Sequence, residues 1–344
     1  MLGDVRTADF DFDLPEGLIA QTPAEPRDSA RLMVVRARSG TIAHHTVADL
    51  PELLRPGDLL VVNDTRVMAA RLFGHRLDTG GKVEALLVKD LGQGRWEAML
   101  KPARPAIPGR HYRFDGRDGP LEATVAARED EIVTLDFGPD ADPGIAGEVP
   151  LPPYIHGYAG DRERYQTVYS REPRSAAAPT AGLHFTPGLL AELEAHGIAR
   201  TAVTLEVGPG TFRPVSVDDP RDHALHAEQV SVPEDAAAAI TRARAEGRRV
   251  VAVGTTVVRT LEHIAATHPA IEAYAGPTSL KILPGDRFRA VDALMTNFHL
   301  PRSTLLMLVC AFAGTELVLR AYREAVTAGY RFYSFGDAML LLPE

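Results

Sequence analysis

The sequence predicts an α/β protein that carries an all-β insertion. Three observations predict it. From Met68 to about Gly138, short alternating segments follow one another with no helical period between them. Just before that stretch, Leu59-Leu60-Val61-Val62 is a continuous apolar run, as expected of a strand buried on both faces. After it, the chain repeats strand, polar loop and helix, the unit that builds mixed or parallel sheets with helical cover.

The elements follow in order. Phe10, Phe12, Leu14, Leu18 and Ile19 gather around Pro15. Arg31 to Val35 and Asp58 to Asn63 read as strands, the second ending in Asn63-Asp64-Thr65-Arg66. The β unit divides into Ala69–Leu77, Lys82–Leu91, Trp96–Lys101, His111–Phe114, Leu121–Ala127 and Ile132–Phe137. Thr79-Gly80-Gly81, Gly92-Gln93-Gly94, Pro108-Gly109 and Asp115-Gly116 supply turns, so a small barrel or sandwich of about six strands is expected. A Pro- and Gly-rich connection, Pro139 to Pro153, closes it.

Ala176 to Pro187 then shows neither strand alternation nor helical period until its end. Pro179, Thr180, Gly182 and His184 stand among small residues, which let a ligand approach the backbone. Thr186 suits an N-cap, Pro187 the first helical position and Gly197 the residue past the helix end. Ala199 to Val207 is a strand, Pro233 to Gly247 a helix, and Arg249 to Val253 a strand running into a helix that reaches about Ala266. Arg289 to Thr296 is a strand, Ser303 caps the next helix, and Thr315 to Ala328 is the last helix. Tyr330 to Phe335 reads as the final strand.

The chain has 344 residues and 45% hydrophobic content, enough for one large domain or two. Cys310 is the single cysteine and sits in an apolar run, so a disulfide framework is excluded. Asp4, Asp9, Asp11 and Asp13 rule against a signal-peptide pattern, and Leu305 to Ala313 falls short of the ~20 residues of a membrane span. A cytoplasmic protein is expected. The net charge of -9 argues against bulk attraction to nucleic acid. Three basic runs nonetheless keep an RNA partner open: Arg95 to Arg117, Arg162 to Arg174 and Arg242 to Arg249.

In open α/β sheets ligands sit beyond the carboxyl ends of strands. The loops at Asn63, Gly208, Gly254 and Asn297 all follow strands, so they share a crevice if those strands are neighbours. Glu206-Val-Gly208-Pro-Gly210-Thr211-Phe212 approaches the glycine-rich loop of Rossmann methyltransferases, but Phe212 replaces the third glycine. A loop for close ligand approach fits better. Asp222, His223, His226 and Glu228 are metal-ligand types, yet nothing turns them to one side, and hydrogen-bonding or acid/base work suits them better. Gly254-Thr255-Thr256 with Arg259 opens a helix and suits a carboxylate or phosphate. Asn297-Phe298-His299 offers an amide, a ring and an imidazole for a nucleobase.

Several long strings carry a resemblance across nearly the whole chain. They are NDTRVMAARLF from Asn63, LPPYI from Leu151, YQTVY from Tyr165 and AAPTAGLHFT from Ala177. VGTTVVR from Val253, VDALMTNFHLPRSTLLML from Val291 and YRFYSFGDAM from Tyr330 complete them. The sequence closely resembles the S-adenosylmethionine:tRNA ribosyltransferase-isomerases of queuosine synthesis. That family has His where this chain has Glu206, Asn where it has Asp64, and a more aromatic run at Leu280 to Gly285.

The resemblance implies a large α/β barrel-like domain with a mixed sheet, residues 1–66 and 154–344, and an inserted six-stranded barrel-like domain, residues 67–153. It implies transfer of the ribosyl part of S-adenosylmethionine to 7-aminomethyl-7-deazaguanine at the tRNA wobble position. Adenine and methionine leave, and epoxyqueuosine-tRNA forms. S-adenosylmethionine is then a consumed substrate, and no separate cofactor, metal or membrane is expected; the chain is expected to act as a monomer. His184, His226, His299 and Glu206 are the proton-handling candidates. Arg259, Thr255 and Thr256 would bind the methionine carboxylate, and Asn297 and Phe298 would face adenine or the modified base. Pro179, Thr180, Gly182, Gly208, Gly210 and Thr211 would shape the pocket, and Asn63 and Arg66 would meet sugar or RNA. The alternative is a paralogue that binds S-adenosylmethionine or RNA with an altered substrate or no ribosyl transfer.

Overall fold

A computed structural model of the chain describes residues 5–104, 106–117, 119–208, 215–225 and 227–344. The chain forms two compact units, one of Met1–Asp64, Pro153–Ser170 and Pro179–Glu344, the other of Thr65–Pro152 and Arg171–Ala178.

The first unit opens with β1 (Arg31–Arg36), β2 (Thr41–Thr46), α1 (Leu50–Leu53) and β3 (Leu59–Asn63). The second unit holds β4 (Arg66–Val67), β5 (Arg71–Arg76), β6 (Lys82–Gly92), β7 (Arg95–Lys101), β8 (His111–Gly116), β9 (Gly119–Glu129), β10 (Ile132–Asp136), α2 (Pro143–Ala146) and β11 (Pro173–Ser175). The first unit resumes with α3 (Pro187–Ala195), β12 (Ala199–Leu205), β13 (Glu228–Val232), α4 (Glu234–Ala245) and β14 (Val250–Val253). It ends with α5 (Thr255–Thr267), β15 (Tyr274–Thr278), β16 (Ala293–Asn297), α6 (Thr304–Ala313), α7 (Thr315–Thr327) and β17 (Ala338–Leu342).

In the second unit the strands close as a barrel in the order β10-β7-β6-β5-β8-β9. Alternation explains it: Val83, Ala85 and Leu87 of β6, Trp96, Ala98 and Leu100 of β7, and Tyr112 and Phe114 of β8 all enter one core. Closure leaves no sheet edge to protect.

The first unit is built on a nine-stranded sheet ordered β15-β13-β12-β3-β14-β16-β17-β1-β2. Its central strands are covered on both faces, which is why they are apolar throughout. Leu59 and Val61 of β3, Val250 and Ala252 of β14, and Leu294 of β16 face one core, with α4, α5, α6 and α7. Leu60, Val62, Val251, Val253, Ala293 and Met295 face the other, with α1 and α3. Caps define the helices locally. The Thr186 hydroxyl accepts the Leu189 N–H (3.0 Å), and the Ser303 hydroxyl accepts that of Leu306 (3.1 Å). No single helix among the described residues is long and apolar enough to cross a membrane.

Two strands differ from the sequence reading. Tyr330 to Phe335 is not a strand: Tyr333 has φ +73°, and the last strand is Ala338–Leu342. The aromatic side chains of the first segment fill the core, while the helix-prone Ala-Met-Leu-Leu-Leu of β17 is held extended between β16 and β1. Likewise β16 starts at Ala293, not Arg289. The backbone N–H groups of Arg289, Ala290 and Val291 go instead to the buried Glu262 carboxylate, at 2.7, 2.9 and 3.1 Å.

Glu262→Ala strands those donors. At roughly 1–3 kcal/mol for each unpaired buried group, the variant should lose about 3 kcal/mol or more in urea unfolding. Glu262→Gln keeps an acceptor and should lose clearly less; equal losses would mean that side-chain volume, not hydrogen bonding, is what matters there.

Candidate active site

Four consecutive strands in the sheet, β12, β3, β14 and β16, run parallel. Their carboxyl ends therefore lie side by side and bring Gly208, Asn63, Gly254 and Asn297 to one edge. A 3-10 turn, Thr180–His184, packs against this edge. Gly254 has φ +97°, and a Cβ there would lie 3.7 Å from the Ala181 methyl group. Gly182 is required by close approach: a Cβ would lie 2.2 Å from the Tyr169 hydroxyl and 2.8 Å from the Thr167 methyl. The Gly182 N–H donates to Pro179 O at 2.9 Å, which closes the turn.

His184 is only 4% exposed. Its Nε2 lies 3.2 Å from Asn297 Nδ2, which also donates to Tyr333 O at 3.1 Å. Burial lowers the imidazole to about 4; nearby Asp337 raises it, while Arg331 and Arg27 lower it further. The ring is neutral at pH 7. Arg27 holds the loop behind it by donating to the carbonyls of Leu183 (3.1 Å), Glu163 (3.2 Å) and Arg164 (3.4 Å). A pocket beside His184 is lined by Arg27, Arg164, Leu183 and Ser334–Gly336, together with Pro23 and Ala24. Around this edge, the hydroxyls of Thr167 and Tyr169 and the Asn297 Oδ1 are buried without a hydrogen-bond partner among the described residues. Orphaned buried groups carry a desolvation cost, which a ligand hydrogen-bonded to them would relieve.

A second cluster forms around Arg259. Its guanidinium pairs with the Glu228 carboxylate, both side chains being 5% exposed, and Nε donates to Leu280 O at 2.9 Å. Glu228 Oε1 accepts the Gly208 N–H at 3.1 Å. Arg259 Nη2 is buried without a partner among the described residues, on the first turns of the helix begun by the buried Thr255 and Thr256. Arg27 is the organising residue that sequence reasoning missed: it acts on elements far away in the chain, so no local pattern marks it. Glu228, expected to do hydrogen-bonding or acid/base work, bonds to Gly208 and Arg259.

Other expected site residues are used differently. Phe298 is fully buried and does not face a base: its ring lies 5.1 to 5.4 Å from those of Phe332, Tyr322 and Tyr330. His299 follows it onto that face, with Nε2 2.9 Å from the Thr296 hydroxyl and its N–H donating to Tyr322. Burial pulls its imidazole down to about 3. Asn63 is spent on structure. Its amide donates to Leu205 O and accepts the Leu205 N–H, both at 3.1 Å, extending the pairing of β3 with β12. Arg66 belongs to the second unit, where its N–H donates to Glu172 O at 3.0 Å. Glu206 is half-buried at the end of β12, its N–H donating to Gln229 O. Gly210, Thr211 and His226 lie outside the described residues. Among the described residues no three His, Cys, Asp or Glu side chains gather as a metal site. Burial pushes the Cys310 thiol up to about 12, as expected of a core filler.

A neutral buried histidine makes stability depend on pH. The unfolded chain takes up the His184 proton below about pH 6.5, whereas the folded one resists it down to about 4. This contribution is complete above pH 6.5 and is lost as pH falls through that window. Relative to His184→Gln, the native chain should lose up to about 1.4 kcal/mol for each pH unit of acidification there. Urea unfolding of both at several pH values measures it; parallel curves would contradict a neutral His184.

The model of the queuosine biosynthesis protein family matches residues 7–341. An S-adenosylmethionine:tRNA ribosyltransferase-isomerase from Symbiobacterium thermophilum is 54% identical over 343 residues, covering 98% of this chain and 100% of that protein. One from Thermus thermophilus is 55% identical over 342 residues, 97% of this chain and 98% of that one. A crystal structure of S-adenosylmethionine tRNA ribosyltransferase from Thermotoga maritima aligns with a TM-score of 0.58 at 40% identity, covering 97% of this chain and 100% of that one. With the family matched through both units and relatives alike from end to end, the chain belongs to the queuosine biosynthesis protein family.

Proposed function

We propose that this chain transfers the ribosyl moiety of S-adenosylmethionine to 7-aminomethyl-7-deazaguanine at the tRNA wobble position and isomerises it, giving epoxyqueuosine-tRNA. Adenine and methionine are released. The observation that carries the reading is identity above one half, over nearly full length, to relatives named for this activity.

The chemistry is what the edge of the sheet can support. The sulfonium acidifies the neighbouring C5′ protons, so a base in a dry pocket can start the reaction. The departing adenine needs hydrogen bonds, and the incoming amine must be neutral to attack. His184 and the unpartnered Oδ1 of Asn297 are the polar groups offered to the nucleoside. Arg259 Nη2 and the start of α5 serve the methionine carboxylate. Glu228 already balances the Arg259 charge, so that subsite works by hydrogen bonding more than by net attraction. S-adenosylmethionine is consumed, with no further cofactor or metal, and the enzyme works as a cytoplasmic monomer.

For the RNA, the basic runs differ in what they can offer. Arg249 is taken by the buried Asp58 (2.9 Å) and Arg248 by Glu246 (2.7 Å). On the barrel unit, Arg95, Lys101, Arg104 and Arg117 are exposed and make no ion pair among the described residues. These are the phosphate contacts we assign.

Mixed with S-adenosylmethionine and tRNA carrying the aminomethyl deazaguanine, the protein should release adenine and methionine in equal amounts. Binding of either partner without adenine release would overturn the proposal. His184→Ala should slow turnover by about two to three orders of magnitude with the fold intact. Replacing Arg95, Lys101, Arg104 and Arg117 together with Ala should flatten the salt dependence of tRNA affinity, by about 0.7–0.9 in slope for each true contact. An unchanged slope would move the RNA surface elsewhere.

A further inference from the structure

We infer that His184 acts in the ribosyl transfer as a neutral hydrogen-bond donor through Nδ1–H, in a tautomer dictated by Asn297, and is not the base that starts the reaction. The role rests on the function proposed above; the tautomer does not.

One atom in this chain of contacts has no choice of role. A main-chain carbonyl can only accept a hydrogen bond. Tyr333 O lies 3.1 Å from the Asn297 side-chain amide, so the amide must present its nitrogen there. Turned end for end, Asn297 would set Oδ1 against Tyr333 O, two acceptors in contact. With the nitrogen so placed, its second hydrogen serves His184 Nε2 at 3.2 Å, and Nε2 must accept. A neutral imidazole whose Nε2 accepts carries its proton on Nδ1. An imidazolium would set N–H against N–H.

The carbonyl that begins the chain is itself held. Tyr333 has φ +73°, a left-handed conformation that is costly for a bulky residue and survives only where its surroundings enforce it. The Gly336 N–H donates to Tyr333 O at 2.9 Å, and the Tyr333 N–H donates to Phe298 O at 3.2 Å. On the opposite side, Arg27 fixes Leu183 O, and Gly182 is wedged against Tyr169. The charged groups around the ring, Asp337, Arg331 and Arg27, do not offset its burial, so it stays neutral well below pH 7.

The consequence is a division of labour. The Nε2 lone pair is occupied by Asn297 and cannot collect the C5′ proton. Nδ1–H is left as the donor of a buried ring that lines the pocket, suited to an uncharged acceptor that gains electron density during reaction, such as a ring nitrogen of the departing adenine. Another group must act as base.

The first test is nitrogen-15 NMR of the full chain labelled at histidine, with His184→Gln for assignment. His184 should show a protonated Nδ1 and an unprotonated Nε2 from about pH 8 to about pH 5.5. A protonated Nε2, or an imidazolium at neutral pH, would overturn the inference. The second compares variants. In His184→Asn the amide nitrogen takes the place of Nδ1 and keeps a donor, whereas His184→Ala keeps none. The Asn variant should retain kcat at least about tenfold above the Ala variant. Equal loss in both would overturn the donor role. A chain with the expected tautomer that releases no adenine would instead refute the proposed function, and the role with it, while leaving the tautomer intact.

Discussion

Four adjacent parallel strands decide where everything in the α/β unit can go. Because β12, β3, β14 and β16 point the same way, their loops leave from one edge, and their side faces must be covered by helices. The edge cannot be closed by main-chain pairing, so its polar groups need other partners. Asn63 closes part of it with its own amide against Leu205. Asn297 closes another part, and the 3-10 turn that carries His184 covers the rest.

That arrangement sorts residues by strand parity. Along β16, Ala293, Met295 and Asn297 face one way and Leu294, Thr296 and Phe298 the other. Asn297 thus meets His184, while Phe298 joins the rings of Tyr322, Tyr330 and Phe332. Three neighbours in sequence that look like one nucleobase pocket are divided between two faces of the sheet. Past the end of β16 that alternation lapses, and His299 turns to Thr296.

Much of the fold was legible because its signals are local. The barrel strands announce themselves by alternation and glycine turns, and Thr186 and Ser303 mark their helices by capping chemistry. The gathering of Asn63, Gly208, Gly254 and Asn297 at one edge followed from the general behaviour of parallel sheets once the strand ends were identified. What stayed hidden depends on contacts between distant residues. β17 is extended only because β16 and β1 flank it, and Glu262 delays the start of β16 from 27 residues away. The pairing of Glu228 with Arg259 and Gly208, and the grip of Arg27 on the His184 loop, have no signature in their own neighbourhoods. Phe298 differs in kind: strand alternation already separates it from Asn297, and its ring joins the core on the opposite face.

The proposed ribosyl transfer stands or falls on where the ribosyl carbons go. S-adenosylmethionine labelled with carbon-13 in the ribose only, incubated with the enzyme and substrate tRNA, is followed by mass spectrometry of the digested nucleosides. The account predicts that the label enters the wobble nucleoside and leaves adenine and methionine unlabelled. Label that remains in intact S-adenosylmethionine or in small-molecule products, with the wobble nucleoside unchanged, would contradict it.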